Sequence, residues 1–93
     1  MGLQFEWDDA KARINLAKHR VGFEEASTVF GDELSITIFD REHSMNEDRF
    51  VTMGQSARGN LLVVVHLDSD ETIRIISARR ANRTERRNYE KAI

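Results

Sequence analysis

The sequence contains no cysteine, no proline and no long apolar run. Without cysteine, disulfides and thiolate metal sites are excluded, which is typical of a cytosolic protein. No apolar segment approaches the roughly 20 residues that span a bilayer as a helix. Residues 1–6 have neither the basic n-region nor the apolar h-region of a signal peptide. We therefore expect a cytoplasmic protein with no membrane partner.

Charge is unevenly distributed along the chain. Its 93 residues are 40% apolar and 32% charged, which indicates one globular domain over residues 1–93. Residues 74–93 hold 7 of the 14 basic residues but only two acidic ones, Glu85 and Glu90. This excess predicts an anionic partner for the C-terminal end, although a solvated, charged helix explains the charge equally well.

The most apolar stretch of the sequence predicts a β-hairpin. Between its two runs, Leu61–Val65 and Ile73–Ile76, lie the four polar, turn-prone residues Asp68–Glu71. Apolar side chains on both faces are typical of strands in the middle of a sheet. Strict alternation places Ser77 and Arg79 on the face of the odd-numbered isoleucines, and Arg80 on the opposite face.

The remaining patterns predict the other elements of an α+β domain. They indicate a short strand at residues 3–7, helices at about 9–19 and 23–30, strands at 34–39 and 49–55, and a polar helix at about 83–91. Ala10, Ile14 and Ala17 have the spacing of a core face on the first helix. We expect the short N-terminal strand and two helices to pack on a four-stranded antiparallel meander, followed by the C-terminal helix.

The candidate chemistry is basic. The three histidines form no close pair and no HExxH spacing, and the chain has no Walker A or GxSxG sequence, so we expect neither a metal nor a cofactor. The cations that remain are Lys18, His19, Arg49, Arg79, Arg80 and Arg83. If they converge, they can bind a phosphodiester, and a histidine can move a proton near neutral pH. Taken alone, His19 more often caps or packs a helix, and Arg79 more often forms a salt bridge.

Two sequence motifs resemble those of the BrnT family of bacterial toxins. The first is Phe5-x-Trp7-Asp8-x-x-Lys11-x-x-x-Asn15-x-x-Lys18-His19 followed by Phe23-x-Glu25-Ala26. The second comprises His43-Ser44, Glu47-x-Arg49-Phe50, Gly54, Ile76-Ser77-Ala78-Arg79-x-Ala81 and Glu85. The resemblance runs from Phe5 to about Tyr89, and its two halves together are specific.

The resemblance implies a RelE-like fold and a metal-independent endoribonuclease that cleaves RNA and arrests translation. It also implies a BrnA-like antitoxin that neutralises the toxin, with operator DNA bound only through the antitoxin complex. On this basis His19, Arg49 and Arg79 are the candidate catalytic residues, whereas Lys18, Arg80 and Arg83 are candidates for binding phosphate. The alternative is a non-catalytic nucleic-acid-binding or regulatory module, whose arginines contact phosphates only.

One position departs from the family pattern. The family usually has glycine after the Lys-His pair, where the helix ends with a positive φ, and this chain has Arg20 there. A left-handed conformation costs a non-glycine residue about 1–2 kcal/mol. The substitution therefore predicts that the helix end shifts and that His19 moves with it.

Overall fold

The computed structural model describes residues 2–92, which form five strands, three α-helices and a short 3₁₀ helix. Their bounds are β1 Gln4–Glu6, α1 Asp9–His19, α2 Phe23–Ser27, the 3₁₀ helix Thr28–Gly31, β2 Ile36–Phe39, β3 Arg49–Gln55, β4 Leu61–Ser69, β5 Thr72–Arg80 and α3 Arg83–Lys91. The predicted α+β class is confirmed. Within residues 2–92, no helix is long and apolar enough to cross a membrane.

The strands form one mixed sheet in the order β1-β5-β4-β3-β2. Strands β2 to β5 make the predicted antiparallel meander, but β1 adds to it in parallel, with Phe5 opposite Ile73. The prediction of a four-stranded antiparallel sheet was therefore wrong. In the meander, β5 has a neighbour on one edge only, and β1 supplies partners for the N–H and C=O groups on its other edge.

The buried residue of α1 is polar. The predicted core face was wrong, since Ile14 is 65% exposed, whereas Asn15 is only 5% exposed. The Asn15 Nδ2 donates hydrogen bonds to the carbonyls of Val21 (3.0 Å) and Ala78 (2.9 Å), and its Oδ1 accepts one from the Ala78 N–H (3.1 Å). Beyond β1, the edge of β5 has no neighbouring strand, and at Ala78 the Asn15 amide makes the hydrogen bonds that a neighbouring strand would make.

Replacement of Asn15 by alanine should destabilise the fold by about 3 kcal/mol, because it leaves two buried carbonyls and one buried N–H without their partner. Urea unfolding measures this loss. Asn88→Ala is the matched control, since Asn88 is an exposed helical asparagine, and its effect should stay within about 0.5 kcal/mol. Equal midpoints for the two variants would contradict the proposed role of Asn15.

The core lies between α2, the 3₁₀ helix and one face of the sheet. Its buried members are Val21, Phe23, Ala26, Val29, Leu62, Val64, Ile75 and Ala78. The second helix is shorter than predicted, because it tightens into the 3₁₀ helix after Ser27. The Ser27 and Thr28 hydroxyls donate to the carbonyls of Glu24 and Glu25, which is a local competition that disfavours continued α-helix.

A β-bulge in β5 changes the face of the sheet on which the side chains after it lie. Ser77 pairs with Val65 and Ile75 pairs with His66, so Ile76 is an extra residue in β5. Alternation restarts after it, and Ala78 joins the core cluster that also contains Ile75. Ser77 and Arg79 therefore lie on the face of the sheet opposite the core, and the prediction that they share a face with Ile73 and Ile75 was wrong.

The end of α1 does not shift. The helix ends at His19, and Arg20 adopts the left-handed conformation itself, with φ 61° and ψ 26°. Its backbone N–H donates to the Leu16 carbonyl at 2.9 Å, which closes the helix as a glycine at this position would. The predicted shift was therefore wrong, and the chain instead retains the strain at Arg20.

Relief of this strain is measurable. We expect Arg20→Gly to raise the free energy of unfolding by about 1 kcal/mol, because glycine adopts a positive φ without steric cost. The control is Arg13→Gly in the interior of the same helix, which should lower the free energy of unfolding by about 1 kcal/mol. Loss of stability in Arg20→Gly would contradict this account of the helix end.

Candidate functional site

A cleft between α1 and β5 contains two of the six candidate residues. Its lining residues are Lys11, Ile14, Asn15, Lys18, His19, Ile76 and Ser77, and its volume is about 200 Å³. Lys18 and His19 come from the last turn of α1, and Ser77 comes from the bulge in β5. The Asn15 hydrogen bonds to Ala78 fix the two elements side by side, so this basic helix end has a defined position against the strand.

Arg79 lies next to this cleft. It is two residues beyond Ser77 on the same face of β5, which corresponds to about 7 Å along the strand. Its Nη1 and Nη2 donate to Oε1 and Oε2 of Glu85, each at 2.8 Å, and Nη1 also donates to the Arg80 carbonyl at 3.3 Å. The Arg79 side chain remains 43% exposed.

The Arg79–Glu85 pair stays charged at neutral pH. The hydrogen bond from Arg79 is the main cause of the lowered pKa of Glu85, and the same bond raises the pKa of Arg79. Because the pKa of Glu85 is lower in the folded state, the stability that the pair contributes is present above the ordinary pKa of 4.5. It is lost as the pH falls through the lowered pKa.

Arg49 lies away from Arg79. Arg49 pairs with Leu67 and Arg79 with Val63, so four residues and two strand spacings separate the two arginines, which is about 16 Å between Cα atoms. The Arg49 Nε is 3.5 Å from Oδ2 of Asp40, and it makes no hydrogen bond to the part of the chain that the structure describes. The two guanidiniums therefore contact different carboxylates, Arg49 that of Asp40 and Arg79 that of Glu85.

The other two candidate arginines occupy separate positions. Arg80 points to the helical side of the sheet, where its Nη1 donates to Oδ1 of Asn60 at 3.0 Å. Asn60 in turn donates to Oε2 of Glu25, which connects Arg80 to α2. Arg83 is exposed in the first turn of α3. The structure thus brings together Lys18, His19 and the strand that carries Arg79, and not all six cations.

The other histidines have different surroundings. His43 is exposed, and its Nδ1 is 2.9 Å from Oδ2 of Asp40. His66 is 1% exposed, with Nε2 at 2.7 Å from the Thr52 hydroxyl and Nδ1 at 2.6 Å from Asp68 Oδ1. This hydroxyl–imidazole–carboxylate series resembles a catalytic triad, but Thr52 is completely buried and cannot reach a substrate. It therefore holds the strands together.

A second, apolar hollow lies on the open face of the sheet. Ile36, Ile38, Val51, Met53 and Val63 line it together with Glu85 and Asn88 of α3, and its volume is about 200 Å³. Val63 pairs directly with Arg79, so the hollow extends from the edge strand β2 to that arginine. Ile38 is 60% exposed. A surface of this kind, apolar with a charged border, is typical of binding sites for protein partners.

Sequence reasoning missed the roles of two residues. Asn15 shares one side of α1 with Lys11 and Lys18, and this spacing does not distinguish a surface residue from one that binds a strand edge. Glu85 stands three residues after Asn82, which is the spacing of a capping box, and the structure contains that motif. Its pairing with Arg79 depends on the direction in which the chain leaves β5, for which no local sequence signal exists.

Comparison with known proteins connects this arrangement to one family. Residues 7–85 match the family model described as the ribonuclease toxin BrnT of type II toxin–antitoxin systems. The fold is similar to the crystal structure of the ribonuclease toxin BrnT from Brucella abortus, with a TM-score of 0.68 and 19% sequence identity over 87% of this chain and 99% of that one. No curated protein sequence matches significantly. Since the family model covers most of the sequence, the chain belongs to the BrnT family of type II ribonuclease toxins.

Proposed function

We propose that this protein is an endoribonuclease toxin that cleaves RNA without a metal ion and thereby arrests translation. The observation that supports the proposal most is the cleft in which Lys18 and His19 of α1 lie beside Ser77, next to Arg79. The family contributes the substrate class, since it is a family of ribonuclease toxins. A RelE-like fold and a cytoplasmic location are part of the same proposal.

The proposed reaction uses the RNA's own nucleophile. The ribose 2′-hydroxyl attacks the adjacent phosphorus, the P–O5′ bond breaks, and a 2′,3′-cyclic phosphate and a 5′-hydroxyl form. The 2′-hydroxyl loses a proton and the leaving 5′-oxygen gains one; His19 carries out one of these two transfers, and water carries out the other. Arg79 and Lys18 stabilise the negative charge that develops on the phosphate oxygens. None of these steps requires a bound metal.

The remaining cations are proposed to bind other parts of the RNA. Arg49 contacts Asp40, whereas Arg79 contacts Glu85, so we assign Arg49 to another phosphate of the same RNA strand. Arg80, the last residue of β5, and Arg83, the first residue of α3, are assigned to further phosphates. Successive contacts of this kind orient the RNA and make its binding depend on salt.

Cleavage of a labelled RNA by the purified protein tests the proposal. We expect His19→Ala and Arg79→Ala each to lower the rate at least about 100-fold, because each removes a group that acts in the transition state. Activity should persist in excess EDTA. Arg13→Ala is the control, since Arg13 is an exposed residue of α1 outside the cleft.

Full activity in both variants would remove this site assignment. Salt-dependent RNA binding without any cleavage by the wild-type protein would instead favour the alternative, a non-catalytic nucleic-acid-binding or regulatory module. Cleavage that stops in EDTA and returns with a divalent cation would contradict the metal-independent mechanism.

We further propose that a BrnA-like antitoxin neutralises the toxin by covering its basic C-terminal surface or displacing α3. The family belongs to toxin–antitoxin systems, and α3 buries only one side chain, that of Tyr89, among its described residues. In this proposal the antitoxin carries the DNA-binding element. The toxin then reaches operator DNA only within the complex that represses its own operon.

Charge reversal on α3 tests the antitoxin surface. Arg86→Glu combined with Arg87→Glu should weaken antitoxin binding at least about tenfold. Both positions are exposed, and the substitutions replace two positive charges on the covered surface with two negative ones. The control pair is Arg13→Glu with Arg58→Glu, exposed positions outside α3. Calorimetry with the purified antitoxin measures both affinities, and an unchanged affinity in the α3 variant would exclude this surface.

A further inference from the structure

The Glu85 carboxylate is fixed in place independently of Arg79. The Glu85 N–H donates to Oδ1 of Asn82 at 2.8 Å, and the Asn82 N–H donates to Oε1 of Glu85 at 2.9 Å. These reciprocal bonds form a capping box, which connects the carboxylate to the backbone at the first turn of α3. A carboxylate restrained in this way is a rigid acceptor for a neighbouring guanidinium.

A second contact fixes α3 itself against the sheet. The Tyr89 hydroxyl donates to Oδ2 of Asp32 at 2.6 Å, and this bond raises the pKa of Tyr89 to about 12. Asp32 also accepts hydrogen bonds from the backbone N–H groups of Gln55 (2.8 Å) and Leu34 (2.9 Å). The capping box thus orders the first turn of α3, and the Tyr89–Asp32 hydrogen bond attaches its last turn to the rest of the protein.

The donors of Arg79 divide into two groups. A guanidinium has five N–H donors, and three contacts here use Nη1 twice and Nη2 once. The Nε–H and the second Nη2–H lie side by side on the adjacent edge of the guanidinium. Neither makes a hydrogen bond to residues 2–92. Two parallel donors in that arrangement match two oxygens of a phosphate.

We propose that Glu85 is a positioning residue for RNA cleavage, which holds Arg79 by the end of its guanidinium so that the Nε–H and Nη2–H edge binds the scissile phosphate. The inference rests on the proposed function and adds a residue to that site. Lys18 and His19 line the neighbouring cleft, whose Ser77 lies two residues before Arg79 on the same face of β5. Because Glu85 already orders the Arg79 side chain, RNA binding costs less side-chain conformational entropy.

Glu85→Gln separates positioning from folding. Glutamine is accepted at this place in a capping box, so α3 should remain capped. Its amide nitrogen cannot accept a hydrogen bond, however, and the bidentate hold on Arg79 is lost. We expect kcat for cleavage of a short RNA to fall about tenfold with KM within about twofold, because orientation matters most for charge that develops in the transition state.

Two further variants make the result specific. In an Arg79→Lys background, Glu85→Gln should not lower kcat further, because the lysine ammonium has no planar pair of donors to orient. Asn82→Ala removes the bond from the Glu85 N–H to the Asn82 side chain, but it keeps the backbone N–H of residue 82 that holds the Glu85 carboxylate. It should therefore lower the melting temperature and leave kcat within about twofold of the wild-type value. All rates are measured well below the melting temperature of the least stable variant.

The outcomes distinguish this inference from the proposed function. Wild-type cleavage with an unchanged or faster Glu85→Gln variant would overturn the positioning role, and a faster rate would make Glu85 a competitor of the phosphate. A further loss in the Arg79→Lys background would also overturn it, because Glu85 would then act on the RNA directly. A wild-type protein that cleaves no RNA would contradict the proposed function itself.

Discussion

The hydrogen bonds between the Asn15 side chain and the backbone of Ala78 are the interaction on which the candidate site depends. They connect the middle of α1 to the edge of β5, where no further strand is present. The last turn of α1 is therefore held against the bulge of β5, which places the helix end with Lys18 and His19 beside Ser77. A buried polar residue thus contributes to stability and to site geometry through the same contacts.

Much of the fold is predictable from local patterns. The bounds of α1 and the order of strands β2 to β5 follow from capping and from alternation of apolar residues. The parallel addition of β1 and the bulge at Ile76 are not predictable in this way, because each depends on pairing between segments that are distant in sequence. The bulge has the larger consequence, since one extra residue moves Arg79 to the opposite face.

The candidate site is only partly predictable for a similar reason. Sequence identifies the cations and the family, but it does not say which cations meet. The structure gathers Lys18, His19 and Ser77 near Arg79, and it leaves Arg49 about 16 Å from Arg79. It also pairs Arg79 with Glu85. Because the Glu85 carboxylate offsets the charge of Arg79, a count of basic residues alone overstates the attraction of this position for phosphate. What Arg79 offers is an oriented pair of donors.

The most direct test of this account is a crystal structure of the protein with an RNA whose scissile 2′-hydroxyl is methylated, which prevents cleavage. The account predicts one phosphate bound by the Nε–H and Nη2–H of Arg79, with the Arg79–Glu85 pair intact and the His19 ring and Lys18 ammonium facing the same nucleotide. A phosphate bound at Arg49 or Arg80, with RNA absent from the cleft between α1 and β5, would contradict it.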